Sequence, residues 1–192
     1  MFDTLVECTV NHISPRKVLD VGCGAGKYAD IVRRIQPESL IIGYEEEPSY
    51  IERFKLRKKY DDLYNISIEH IIQQDVRQQF DLCIMGDVLE HLRKSVGQDV
   101  IHFLLYRSRY ILLAVPLQYL QDDHDGVRGE AHVSSWHPHE FEPYTDVIFV
   151  SKPGTWFAVL RGFLCDHSEF ILLRDTIQSV ENSAKYLPCR DL

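Results

Sequence analysis

The chain is 192 residues long, 45% of them hydrophobic and 26% charged, with a formal net charge of −8. That length suits one domain with a sizeable core, and the acidic balance argues against unassisted nucleic-acid binding, which needs Lys and Arg to neutralise phosphates. No stretch approaches the ~18 apolar residues of a membrane span. Met1-Phe2-Asp3 lacks the basic start and apolar run of a signal peptide. Cys8, Cys23, Cys83, Cys165 and Cys189 form no CxxC pair and are odd in number. They are expected as reduced thiols in a soluble, cytoplasmic protein.

Leu5, Val6, Val10 and Ile13 stand at helical spacing, so residues 3–13 are expected to form a helix that Asp3 caps and Pro15 ends. Residues 17–22 read as a buried strand, 26–36 as a helix with Tyr28, Ile31, Val32 and Ile35 on its apolar face, and 40–44 as a second buried strand. Pro48 opens a helix predicted to reach about Tyr60. Further strands are expected at 66–72, 80–85 and 110–115, with a helix at 96–106. Residues 117–135 are polar and aperiodic, a length of loop that in a compact domain is either functional or disordered. A short helix is expected from Pro138. Apolar runs at 147–150 and 156–160 flank Ser151-Lys152-Pro153-Gly154, whose Pro-Gly suits a type II turn and so a hairpin. Finally, Phe170, Leu173, Ile177, Val180, Ala184 and Leu187 alternate steps of three and four. They predict an amphipathic helix, capped by Ser168, that either covers the domain or meets a second copy in a homodimer. The expected organisation is a domain over 1–165 and a helical extension over 166–192.

Residues 18–28 read VLDVGCGAGKY, a strand running into Gly22, Gly24 and Gly26 and then a helix. Glycine supplies the positive φ of a tight turn and lets a ligand lie against the backbone, and the helix start points N–H groups at that ligand. The dinucleotide pattern GxGxxG fails here, because Lys27 stands where it requires glycine. The phosphate loop GxxxxGK[ST] fails at Val21 and at Tyr28.

These residues resemble motif I of the class I methyltransferases that use S-adenosylmethionine. The resemblance continues through Gly43-Tyr44-Glu45, Asp75, FDLCIMGDVLEHL at 80–92 and GEAHVSSWHPHEF at 129–141. It implies an α/β, Rossmann-like fold, a mostly parallel sheet ending in an antiparallel hairpin. It also implies the cofactor contacts. Glu45 would accept both hydroxyls of the ribose diol, and Asp75 would meet the adenine amine. Asp20, with the backbone around Gly22, Gly24 and Gly26, would hold the methionine amino group, and Gly86 and Asp87 would line the methionine side. His91 and His132 are the candidate acid–base or substrate-orienting residues, since imidazole titrates near neutrality. Glu90 and His91 can equally be structural, tying a helix to the sheet.

Asp87, Glu90, His91 and His132, with Trp136 nearby, are also similar to the acidic-x-x-Glu-His pattern by which some methyltransferases, of ubiquinone biosynthesis and of small-RNA 2′-hydroxyls, bind a divalent metal. The Glu-His pair is common in metal-free members too, so no metal ligand is assigned from sequence. The Gly129-to-Trp136 region resembles bacterial methyltransferases of polysaccharide and secondary-metabolite pathways. The expected function is therefore methyl transfer to a hydroxyl of a small-molecule or glycan-like acceptor. The alternatives are a regulatory protein that binds S-adenosylmethionine without turnover, acting through a partner, and a dehydrogenase that binds NAD.

Overall fold

The computed structural model describes residues 2–73, 77–116 and 131–189. Among them, β1 (Lys17–Val21), β2 (Leu40–Tyr44), β3 (Asp62–Tyr64), β4 (Phe80–Gly86), β5 (Ser108–Pro116), β6 (Val147–Lys152), β7 (Thr155–Arg161) and β8 (Lys185–Leu187) form one sheet in the order β3-β2-β1-β4-β5-β7-β6-β8. Pairing is parallel from β3 through β5, and antiparallel from β5 through β7 and β6 to β8.

Strand alternation makes two cores. Val18 of β1 joins the layer of α1 (Asp3–Ile13), α2 (Lys27–Ile35) and α5 (His167–Val180). Leu19 and Val21 face the opposite layer, filled by Val100, Ile101, Leu104 and Leu105 of α4 (Lys94–Leu105). After β1 the chain builds outward through β2 and β3, then crosses back to β4 on the other flank of β1. The crevice beyond the carboxyl ends of β1 and β4 is where an open α/β sheet of this kind takes its ligand.

Several local expectations need correction. The third strand is Asp62–Tyr64, not 66–72. Its backbone pairs with Ile42, Gly43 and Tyr44, while Ile68–Gln73 forms a 3-10 helix. Ile68 and Ile71 are both buried, and their three-residue spacing matches the 3-10 repeat. The helix opened by Pro48 stops early, as α3 (Pro48–Arg53). Lys55 then takes a left-handed φ of 52° before a 3-10 turn at Leu56–Lys58, which buries Leu56 and Tyr60. Asp3 is the first residue of α1, not its cap, and makes an ion pair with Lys27 at 2.5 Å.

The last helix begins after Asp166, not at a Ser168 cap, and ends at Val180 rather than at 187. Its Phe170, Leu173 and Ile177 are buried in the core shared with α1. Beyond a turn at Asn182-Ser183, β8 pairs with β6. Without β8 the β6 edge would present unpaired N–H and C=O groups. Asp146, 3% exposed, fastens this end. It accepts from Arg161 Nε (2.6 Å), His167 Nδ1 (3.1 Å), Tyr186 Oη (3.1 Å) and the Cys189 N–H (2.8 Å). The backbone and side-chain hydrogen bonds and the Arg161 charge hold its carboxyl below the ordinary value despite burial.

Candidate active site

β1 ends in a turn whose Gly22, Gly24 and Gly26 all take positive φ, 68°, 51° and 76°. Gly22 and Cys23 donate N–H to the Tyr44 carbonyl at the end of β2, at 2.9 and 3.2 Å. A Cβ on Gly22 would stand 2.6 Å from Val88 Cγ2, so that glycine permits close packing. At Gly24, nothing among the described residues lies within 4 Å of where a Cβ would stand. Its open side is the cavity, so this glycine leaves room for a ligand.

That cavity is about 870 Å³. The turn, the ends of β2 and β4, α3 and residues 66–69 wall it. Glu45, 5% exposed, lies on this wall. It accepts from the Gly24 N–H at 2.8 Å through Oε2 and from the Glu47 N–H at 2.9 Å through Oε1. A carboxylate fixed by two backbone donors keeps acceptor capacity for neighbouring hydroxyls.

Asp20 is 1% exposed, inside β1. Tyr60 Oη donates to its Oδ2 at 2.5 Å, and Oδ1 finds no hydrogen-bond partner among the described residues. Burial pushes this carboxyl up to about 8; the Tyr60 bond opposes the shift and the Glu45 charge adds to it. A buried acid with an unanswered oxygen beside a ligand turn invites a cationic partner. The lining as a whole agrees: Glu45, Glu46, Glu47, Glu69 and Asp87 face it against Lys27 and Arg53. Such a wall suits a net cation and repels a pyrophosphate.

Gly86 closes β4, and its bare Cα admits Tyr28, whose Oη lies 2.1 Å from where a Cβ would be. Asp87 follows with a φ of 56°, a left-handed setting that Asp tolerates better than most residues. Desolvation raises its carboxyl, against the charges of Lys27, His91 and His132. Leu89–His91 forms a 3-10 turn to which residues 131–136 are stapled. The Val133 and Ser134 N–H groups donate to the Glu90 carbonyl, and Trp136 Nε1 donates to that of Leu89. The result sets His132 beside His91, ring centroids 4.9 Å apart. His91 Nδ1 lies 3.3 Å from the Ala131 carbonyl. A carbonyl only accepts, so this bond puts the proton on Nδ1 and makes Nε2 the basic nitrogen. His91 lines the cavity; His132 is not among the described residues that do. Glu90, His91 and His132 each offer a ligand atom within 4.8 Å of the others.

A family model described as a methyltransferase domain matches residues 1–189. The chain belongs to that family. Ubiquinone biosynthesis O-methyltransferases are similar to this methyltransferase domain. The mitochondrial one of Candida albicans is 30% identical over 79 residues, 39% of this chain and 24% of its own. That of Rhodopseudomonas palustris is 28% identical over 85 residues, 44% of this chain and 33% of its own. The matches thus span less than half of those relatives. Among solved structures, the methyltransferase domain of bacterial CtHen1-C superposes with a TM-score of 0.63 at 21% identity, over 83% of this chain and 95% of that one. The N-terminal domain of EvdMO1, crystallised with SAH and D-fucose, does so at 0.61 and 13%, over 83% and 82%. At these identities the likeness is one of fold, and it carries the mostly parallel sheet with its antiparallel end.

The structure brings Gly22, Gly24, Glu45, Gly86, Asp87 and His91 to one cavity wall; Gly26, the N-cap of α2, and Asp20, buried in β1 two residues before Gly22, are not among the described residues that line it. Asp75 lies outside the described residues, as does 117–130. Ser67, Ile68 and Glu69 occupy the wall after β3. Sequence reasoning missed Tyr60, which signals itself only as an aromatic at a predicted helix end, and Tyr28, which reads as ordinary apolar face. Among the described residues, no helix is long and apolar enough to cross a membrane.

Proposed function

We propose that this methyltransferase domain transfers a methyl group from S-adenosylmethionine to a hydroxyl of a small-molecule or glycan-like acceptor. The observation that carries the reading is the pair of acids around the glycine turn. Glu45, gripped by Gly24 and Glu47 N–H groups, is set to take the ribose diol. Asp20, with its unanswered oxygen, is set to take the amino group. The acidic lining suits a ligand that carries a sulfonium and an ammonium against one carboxylate.

S-adenosylmethionine supplies an electrophilic methyl carbon. The acceptor oxygen's lone pair forms the new bond to that carbon, and the old carbon–sulfur pair stays on sulfur as a neutral thioether. The hydroxyl proton passes to His91 Nε2, with His132 beside it to orient the ring. The chain otherwise works by holding both partners in line. The test is acceptor-dependent formation of S-adenosylhomocysteine; tight cofactor binding with no turnover across broad acceptor panels would favour the regulatory reading instead.

A second reading of the histidines is favoured by the Glu90–His91–His132 cluster. Two imidazoles and a carboxylate are a donor set for a divalent first-row metal, whose chemistry there would be Lewis acidity toward the acceptor oxygen. Metal analysis of chelator-free protein finding no ion, with activity intact in EDTA, would remove it.

A further inference from the structure

The chain between α3 and β3 packs against the glycine turn. Left-handed Lys55 leads it into the 3-10 turn at Leu56–Lys58, and three side chains then reach the elements of the donor site. Leu56 Cδ2 lies 3.1 Å from where a Cβ on Gly26 would stand. Lys59 Nζ donates to the Ala25 carbonyl at 3.0 Å and to Asp30 Oδ2 at 2.6 Å. Tyr60 Oη donates to Asp20 Oδ2 at 2.5 Å. We infer that Tyr60 is a positioning residue for S-adenosylmethionine: it holds one Asp20 oxygen so that the other is kept for the ligand's amino group. This deepens the function proposed above and rests on Asp20 taking that amino group.

The slot for the Tyr60 ring is built into β2. Tyr60 is buried, and β2 carries no side chain at Gly43, where a Cβ would stand 2.8 Å from Tyr60 Cδ1 and 2.6 Å from Cys23 Sγ. A side chain there would press on the ring that reaches Asp20. A phenol hydroxyl has one proton to donate, and this one goes to Oδ2. Burial, and then the Asp20 charge, raise the Tyr60 phenol above its ordinary value, so the hydroxyl stays a donor. Of the two Asp20 oxygens, Oδ1 is the one without a hydrogen-bond partner among the described residues. A buried carboxyl oxygen left in that state is costly until a donor meets it. The last torsion of an aspartate is soft. Tyr60 removes that freedom by fixing Oδ2, so Oδ1 is set before the ligand arrives and binding does not have to order it. The same bond favours the ionised carboxylate against burial, which is the form that pairs with an ammonium. A tyrosine that only filled the space behind the turn would act otherwise: its loss would loosen the turn and harm every ligand of the cavity alike.

The experiment titrates the full chain by calorimetry with two probes. S-adenosylhomocysteine carries the amino group; 5′-methylthioadenosine keeps the nucleoside and the thioether but lacks it. Tyr60→Phe leaves the ring in its slot and removes only the hydroxyl. It should weaken S-adenosylhomocysteine by about fivefold or more and leave 5′-methylthioadenosine within about twofold. Asp20→Asn should show the same split. Adding Tyr60→Phe to Asp20→Asn should then cost less than about twofold further, because the hydroxyl acts through the acid. Should Tyr60→Phe fail to fold, the parent decides by NMR. The buried Tyr60 hydroxyl proton should give a downfield resonance that Asp20→Asn displaces, that S-adenosylhomocysteine shifts and that 5′-methylthioadenosine leaves in place. A Tyr60→Phe loss below about fivefold, equal loss of both probes, additive losses in the double variant, or, in the NMR arm, no such resonance or one that ignores S-adenosylhomocysteine, overturns the role of Tyr60 and leaves the donor site standing. Should Asp20→Asn bind S-adenosylhomocysteine as the parent does, the amino-group reading of Asp20 falls, and the Tyr60 role with it.

Discussion

Replacing Glu45 by Ala is the sharpest probe of the donor site. The carboxylate is 5% exposed and held by two backbone donors, Gly24 N–H and Glu47 N–H. Its position is therefore set before any ligand arrives, and binding does not have to order it. Hydrogen bonds to a charged group contribute about 1.5–3 kcal/mol each. Two from a diol then amount to about 3–6 kcal/mol, or roughly a hundredfold to ten-thousandfold in affinity. Water entering the space vacated by the side chain pulls the expectation toward the lower end, about a hundredfold. Glu45→Gln keeps one acceptor oxygen and should fall between parent and Ala. Glu46→Ala, an exposed carboxylate on the same rim, is the matched control for general charge. Titration calorimetry with S-adenosylhomocysteine reads all three. If Glu45→Ala binds within about threefold of the parent, while Glu46→Ala is no different, the diol is held elsewhere and the pocket assignment is wrong.

Asp20 makes the protein sensitive to pH. Its folded pKa of about 8 stands above the ordinary carboxylate value, so the folded chain holds this proton where the unfolded chain has lost it. Stability is then greatest below about pH 4 as far as this group is concerned, and falls as pH rises through about 8, by at most about 1.4 kcal/mol per unit. Asp20→Asn should flatten that part of the denaturation profile; an unchanged slope would show that the acid is ionised in the fold. The same group should release a proton when S-adenosylhomocysteine binds near pH 7, seen as a buffer-dependent calorimetric enthalpy that Asp20→Asn abolishes. Gly24→Ala should cost about 1–2 kcal/mol for its left-handed backbone and also weaken the ligand by intruding on the cavity. Gly22→Ala should lose more stability, because its Cβ meets Val88; thermal melts with and without ligand separate the two. His91→Gln should lower kcat by about a hundredfold with little change in S-adenosylhomocysteine affinity, a split that a purely structural His91 would not produce. Asp146→Ala should destabilise the fold by about 3–5 kcal/mol, the usual result of stripping one partner from a buried charged cluster. Since its folded pKa is depressed, the Asp146 contribution is present above about pH 4 and is lost as acid titrates it, which chemical denaturation across pH will show.

Some of this was legible one residue at a time. The unbroken apolar run LIIGY became β2 at Leu40–Tyr44, and the Pro-Gly between two apolar runs became the β6–β7 hairpin with Gly154 at a φ of 78°. A buried central strand has little choice of partner environment, so its pattern is its structure. The isoleucines of 66–72 misled, because β-branched residues fit a strand and a short 3-10 helix against the core alike, and only the pairing of Asp62–Tyr64 with β2 decides between them. The C-terminal seam misled past Val180 for a similar reason. Periodicity predicts which side is apolar, yet the open edge of β6, which local sequence does not display, turned Lys185–Leu187 into a strand.

The chain's own order of residues determined the turn, the two acids flanking it and the strands that carry them, since these depend on short-range chemistry: glycine's φ, the placement of a carboxylate at a strand end, runs of buried side chains. Folding decided what those residues feel. Tyr60 reaches Asp20 across forty positions of sequence at 2.5 Å, Trp136 docks on the Leu89 carbonyl and sets His132 beside His91, and the Tyr28 ring packs into the space that Gly86 leaves bare. Each depends on distance and desolvation between segments far apart in the chain, and neither quantity exists until the sheet has assembled.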